Sequence, residues 1–282
     1  MHAKAGSAIR LAFLCGAASR KAHAMKNVFA GVFVLATSLS FSQSTFTGTW
    51  VTDLKSVQYS GTPFSFSLKD GTYRCDTCAP KVEIPADGKD HPTKGFPYAN
   101  SMSVRVVDDN TIEIVRKKDG KAERSSNTVV SADGNTLTVD WTFFPNGQEG
   151  HGRRVYSRTA AGPAGAHKAS GSWQQLRSEE DSANVLTVSY KASAEDLNMT
   201  DPIGDSYTAK FDGKDYPVKG DPGINGVALK KIDANTIEEM YKLNGQVLFI
   251  SRMTVSADGQ TMTVESTDKL HGTRSSYQAR KQ

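Results

Sequence analysis

In the stretch GHGRRVYSR, Arg154 and Tyr156 stand two residues apart. A guanidinium offers a planar fork of donors to a carboxylate or phosphate, and a phenol adds one more. Residues two apart on a strand face the same side, so the pair reads either as an anion site inside a barrel or as an ordinary surface pair. Cys75 and Cys78, in YRCDTCAP, admit three states: a disulfide, free or weakly redox-active thiols, or part of a metal site. A redox-active CxxC normally opens a helix, whose N-terminus lowers the thiol pKa. Here the surroundings read as strand, turn and strand. A zinc site needs a second ligand pair, and none stands at useful spacing. Haem attachment needs His after the second cysteine, where Ala79 stands. His151 and His271 occupy matching His-Gly contexts with no cysteine or carboxylate ligand spaced near them, and read as loop residues at the surface.

Other chemistries lack their residues. There is no nucleophile elbow, and no glycine loop leads from a strand into a helix to cradle phosphate. The acidic stretch SEEDS (178–182) and Glu195-Asp196 read as solvated loops, and RKKDGK and ALKKID as exposed strand charge that protects sheet edges. The expectation is a non-catalytic protein with no cofactor and no bound metal.

These residues sit in a duplicated framework. From Asp87 to Thr142 the chain aligns without a gap with Asp212 to Thr267, and close to half of the positions are identical. VSADGNTLTV (130–139) thus returns as VSADGQTMTV (255–264). TGTW (47–50) corresponds to SGSW (170–173), and HGRRVYSR to HGTRSSYQAR. Each unit has about 110 residues, the size of a whole domain and not of a solenoid repeat. The expected division is an upstream extension plus targeting segment at 1–44, one barrel at 45–158, a linker at 159–169, and a second barrel at 170–282.

Both units read as β throughout. Asp-Gly or Asn-Gly pairs at 70–71, 87–88, 119–120, 133–134, 212–213, 244–245 and 258–259 are the turn signal of type I′ hairpins. Alternating runs between them place Met102, Val104 and Val106, then Ile112 and Ile114, then Leu137, Val139 and Trp141 on inward faces. Only 193–198 suggests a helical turn. Roughly eight or nine short strands per unit close into an up-and-down barrel or stack as a sandwich. Closure removes both edges, so two tandem antiparallel barrels are expected.

Residues 25–44 pair a basic start at Lys26 with an apolar run too short for a membrane span, then small residues at Ser40 and Ser42. This predicts a signal peptide cleaved near Ser42 or Ser44, with Met25 a better start than Met1, and a secreted or periplasmic bacterial protein without stable membrane insertion. An oxidising compartment favours the disulfide among the states of Cys75 and Cys78. The formal charge of +4 arises in residues 1–44, and the remainder carries 29 basic against 30 acidic residues. Nucleic-acid binding, which needs clustered cations, is not expected.

Gly48-Thr49-Trp50 and Gly171-Ser172-Trp173 resemble the G-x-W that opens lipocalins and related calycin barrels. With DGKDYPVKG, DDNTIE and the CxxC, the chain resembles lipocalin-like secreted bacterial proteins of no assigned function. The resemblance implies that Trp50 and Trp173 close one end of each barrel, with Arg153 and Arg274 packed across them. RRVYSR resembles the Arg-x-Tyr of fatty-acid-binding proteins, which grips a ligand carboxylate. In the second unit Ser275 stands where that arginine would be.

Two functions are therefore expected. The first is a binding protein for a small apolar or amphipathic ligand, held by Arg154 and Tyr156 and by the faces of Trp141, Met102, Val104, Ile112, Ile114, Leu137 and Val139. The second is a protein-interaction or inhibitor module with solid barrels and working loops. A pocket of about 300 Å³ or more separates the first from the second.

Overall fold

The structure is a computed structural model that describes residues 45–144 and 147–282. The expected targeting segment, with Cys15, lies outside the described residues. Twenty strands and one short helix are present among them. In chain order the first ten are β1 (Gly48–Gly61), β2 (Phe64–Lys69), β3 (Thr72–Cys75), β4 (Val82–Pro85), β5 (His91–Pro92), β6 (Ser101–Asp108), β7 (Thr111–Lys118), β8 (Lys121–Val130), β9 (Thr136–Phe143) and β10 (Gly150–Ala161). Then follow β11 (Gly171–Asp181), α1 (Ala183–Leu186), β12 (Thr187–Ala192), β13 (Asp196–Thr200), β14 (Ser206–Lys210), β15 (Asp212–Lys219), β16 (Gly226–Lys231), β17 (Thr236–Leu243), β18 (Gln246–Val255), β19 (Thr261–Asp268) and β20 (Thr273–Lys281). The one helix is Ala183–Leu186, and the helical turn expected at 193–198 is instead the bend into β13.

These strands form two ten-stranded antiparallel sheets, consistent with a calycin-like two-barrel fold. The two G-x-W strands have changed places. β1 pairs with β12 and β20, so the strand that opens the first repeat completes the sheet of the second. β11 pairs with β10 and β2 and completes the sheet of the first. The boundaries expected from the repeat, 45–158 and 170–282, are corrected accordingly. One sheet is the continuous run β2 to β11, and the other is β12 to β20 plus β1. The physical reason lies in the join. The last strand of a barrel lies antiparallel to its first, so a short linker after β10 folds the next strand, β11, straight back onto it. That closure is local and costs little loop entropy.

The second sheet closes fully, with Ser206 and Tyr207 of β14 opposite Lys219 and Val218 of β15. The first stays open between β4 and β5. Pro85, where the second repeat has Lys210, brings no N–H to the ladder and ends β4. Cys75 and Cys78 form a buried disulfide in the turn after β3. The loop over this gap buries Phe96 and Ala99 in the first core.

Positive φ at both Asp70 and Gly71, Asp119 and Gly120, and Asn244 and Gly245 bears out type I′ turns there. At Asp133-Gly134 and Asp258-Gly259 only the glycine has positive φ. Those loops are longer and tied by side chains. Ser131 Oγ donates to Asp133 Oδ1, which also accepts from the Asn135 backbone N–H; Ser256, Asp258 and Gln260 repeat this. The copied SADG motif is therefore a side-chain-capped loop.

Each exchanged tryptophan is wholly buried. Trp173 Nε1 donates to the Ala169 carbonyl at 3.0 Å and Trp50 Nε1 to that of Phe46 at 2.9 Å. The cations across them are not those expected. Arg158 lies 4.1 Å from the centre of the Trp173 ring and Lys281 4.9 Å from that of Trp50. Arg153 instead faces outward and pairs with Asp140 at 2.6 Å, and Arg274 is exposed on β20. Arg158 also donates to the backbone carbonyls of Gly134, Ser170 and Lys168, so it ties two loops to the barrel end. Among the described residues no helix is long and apolar enough to cross a membrane.

Residues 62–182 hold every strand of the first sheet in one continuous segment. Expressed alone, this segment is expected to unfold cooperatively on heating, with a near-ultraviolet circular dichroism signal from buried Trp173. A featureless, non-cooperative melt would contradict the exchanged layout.

Candidate functional site: the arginine-lined interior of the first barrel

The first core is apolar over most of its length. Met102, Val104, Ile112, Ile114 and Leu137 are buried in it, Tyr156 joins them, and Val139 packs against it half-buried. Val106 leaves this face and is 41% exposed. Trp141 stands apart. It packs with Phe143, Val185 and Ile203, where the two repeats meet.

Charge gathers at the Trp141 end. On β7, Arg116 continues the inward face of Ile112 and Ile114 and is buried. Directly opposite it in the ladder stands Arg124 of β8. From β10, Arg154 is buried as well. The Arg154 and Arg124 guanidiniums lie 4.9 and 5.5 Å from the centre of the Trp141 ring, a cation–π geometry that suits both. Trp141 Nε1 is buried and has no hydrogen-bond partner among the described residues. The stretch RKKDGK, expected to be exposed charge, thus begins with a residue of the interior.

Arg154 has a dedicated partner. Its Nη1 lies 2.5 Å from Asp181 Oδ1, and Asp181 is buried, which corrects the reading of SEEDS as a solvated loop. Burial is the largest single effect on the Arg154 guanidinium and pulls it down, but Asp181, Tyr59 and Tyr156 together outweigh it and the net shift is upward. Burial lifts the Asp181 carboxyl, and Arg154 pulls it only partway back. Tyr59 of β1 completes the group, its hydroxyl 2.7 Å from Ser178 Oγ. Burial raises the Tyr59 phenol and takes that of Tyr156 to about 12, so both stay neutral. Gly152 makes room for this arrangement, because a Cβ there would collide with Asp181, the Trp141 ring and the Glu180 carbonyl. Tyr59 and Asp181 both arrive on exchanged strands.

Arg124 is different. Among the described residues no carboxylate pairs with it. Burial, then Arg116 and Arg154, lower its guanidinium to about 9. Among the described residues three guanidiniums, of Arg116, Arg124 and Arg154, thus gather at this end, and Asp181 is paired with Arg154.

The second barrel fills the same positions otherwise. Tyr241 and Phe249 occupy the ladder pair that Arg116 and Arg124 occupy in the first. Glu239 replaces Ile114 and is wholly buried. It accepts from the Tyr207 hydroxyl, and from that of Tyr241 at 3.1 Å. Burial raises its carboxyl to about 7, the two phenol donors offsetting only part of the effect. The histidines also part company. His151 is exposed at the surface, as expected, 3.6 Å from Glu149, whereas His271 is buried with Nδ1 2.5 Å from Asp268 Oδ2, contrary to the surface expectation for it.

Arg116, Arg124, Asp181, Tyr59 and Glu239 were not among the residues expected from sequence. A signal for three of them existed. Comparison of the repeats places Arg116 over Tyr241, Arg124 over Phe249 and Ile114 over Glu239, each a change of charge at an inward strand position. No family model and no curated protein matches this chain.

The Glu239 carboxyl titrates near 4.5 when exposed and near 7 in the fold. Below pH 4.5 it is protonated in both states and imposes no penalty. As pH rises to 7, stability falls by about 3 kcal/mol and then levels. Urea denaturation at several pH values should show this fall, and Glu239→Gln should flatten it. An unchanged slope in Glu239→Gln would contradict the assignment.

Proposed function

We propose that this chain is a non-catalytic binding protein of the lipocalin-like class, exported from the cell, whose first barrel takes a small amphipathic anion. The supporting observation is the pair Arg116 and Arg124, two like charges directly opposite each other on an inward sheet face. Such pairs destabilise a sheet, and desolvation adds to the cost. An anion that pairs with Arg124 during function accounts for this arrangement, whereas the second barrel has Tyr241 and Phe249 at this pair. The ligand's charged head meets Arg124, Arg116 and the unpartnered Trp141 Nε1. Its apolar part runs along Met102, Val104, Ile112, Ile114, Leu137 and Val139, with Tyr156 beside it. Arg154, already held by Asp181, positions Trp141 and contributes field more than contact.

The lipocalin-like assignment draws on the buried G-x-W tryptophans, each under a cation, and the proposed export draws on the Cys75–Cys78 disulfide. The second barrel packs Tyr207, Tyr241, Phe249 and Met253 into its interior, which favours the alternative, a solid interaction or scaffold module, for that half. Nucleic acid has no place in this reading.

Native mass spectrometry of protein purified from its own host should show a small acidic molecule on the wild type. Arg124→Phe, which installs the second repeat's residue, should weaken binding of the anionic apolar probe anilinonaphthalene sulfonate about tenfold, the cost of a lost charged contact. It should also raise the melting temperature of the ligand-free protein. Absence of both a co-purifying ligand and probe binding would overturn the proposal.

A further inference from the structure

The strand exchange builds a cleft that neither repeat could form alone. Tyr59 reaches it from β1, Tyr156 from β10, Trp173 and Gln175 from β11, and Thr273 and Arg274 from β20. Four of its ten lining residues are aromatic. Two polar atoms in it are orphaned: Gln175 Nε2 and Thr273 Oγ1 are both buried and have no hydrogen-bond partner among the described residues. Buried polar atoms left unmade cost stability, and a native structure that keeps two in one cleft calls for a reason. Arg274, expected to close a barrel, is exposed at this cleft instead. Among the described residues no carboxylate pairs with it.

From these groups we infer that the cleft between the barrels is a second ligand site, specific for a small-molecule carboxylate. The available groups are donors: an amide N–H, a hydroxyl and a guanidinium. They call for an acceptor with negative charge. The space that admits a water-sized group is about 20 Å³, enough for about one such group. The cleft opens to solvent, so the body of the ligand rests outside while its charged head reaches Gln175 and Thr273. This site is independent of the arginines inside the first barrel, although Tyr59 and Tyr156 border both.

The probe is 4-fluorobenzoate, followed by fluorine NMR against the full chain. The wild type should bind it at millimolar concentration. Arg274→Gln and Gln175→Leu should each weaken binding about tenfold, with circular dichroism melts confirming that both variants fold. Arg124→Gln should leave this site unchanged. If no binding is found, or if Arg274→Gln and Gln175→Leu bind as the wild type does, the inference is overturned. If the only site lost is the one that responds to Arg124→Gln, the cleft falls and the interior anion site stands.

Discussion

Antiparallel pairing of β10 with β11 sets the layout of the whole molecule. Once the end of the first repeat folds back onto the start of the second, β2 can pair only with β11, and β1 is displaced from its own unit. The second repeat, having lost its first strand, accepts β1 in its place. Identical geometry makes the exchange nearly neutral in contacts. Thr49 Oγ1 lies 2.9 Å from Ser189 Oγ in one sheet, and Ser172 Oγ lies 3.1 Å from Ser65 Oγ in the other. Two tryptophans with the same capping bond confirm that each strand finds an equivalent seat. The β10–β11 hairpin closes only a short loop, while β1 reaches across most of the chain to β12 and β20.

Exchange also couples the two halves. Asp181 and Tyr59 reach Arg154 on traded strands, so the electrostatics of the first interior depend on chain from both sides of the crossover. Gly152 and Gly150 keep β10 bare of side chains where Asp181, Trp141, Phe143 and Val185 crowd against it. Within this shared frame the two interiors have parted. One collects guanidiniums beside an aromatic face, and the other encloses a carboxylate among phenols. Two sheets of like strand order thus hold opposite charge, which duplication permits because each barrel's fold rests on its apolar strand faces.

Much of the architecture was legible in the residues. Period-two runs placed Met102, Val104, Ile112, Ile114 and Leu137 correctly, since alternation follows from the pleat itself. The repeat was plain, and so were the tryptophans. Partner choice was not, because β1 and β11 carry the same G-x-W pattern and fit either sheet. Family likeness pointed to Arg153, yet the register across the bulges of β10 brings Arg158 to Trp173. Arg116 and Asp181 were misread because charged stretches are usually solvated, and nothing local in RKKDGK or SEEDS marks the one residue that turns inward. Reading each repeat against the other at inward positions supplies that mark.

Strand exchange can be tested by cross-linking in the intact chain. Thr49→Cys with Ser189→Cys joins β1 to β12, and Thr49→Cys with Ser65→Cys joins β1 to β2. The exchanged layout predicts a disulfide in the first double variant, mapped by mass spectrometry of the digested monomer, and free cysteines in the second. Cross-linking of residues 49 and 65, with none between 49 and 189, would contradict it.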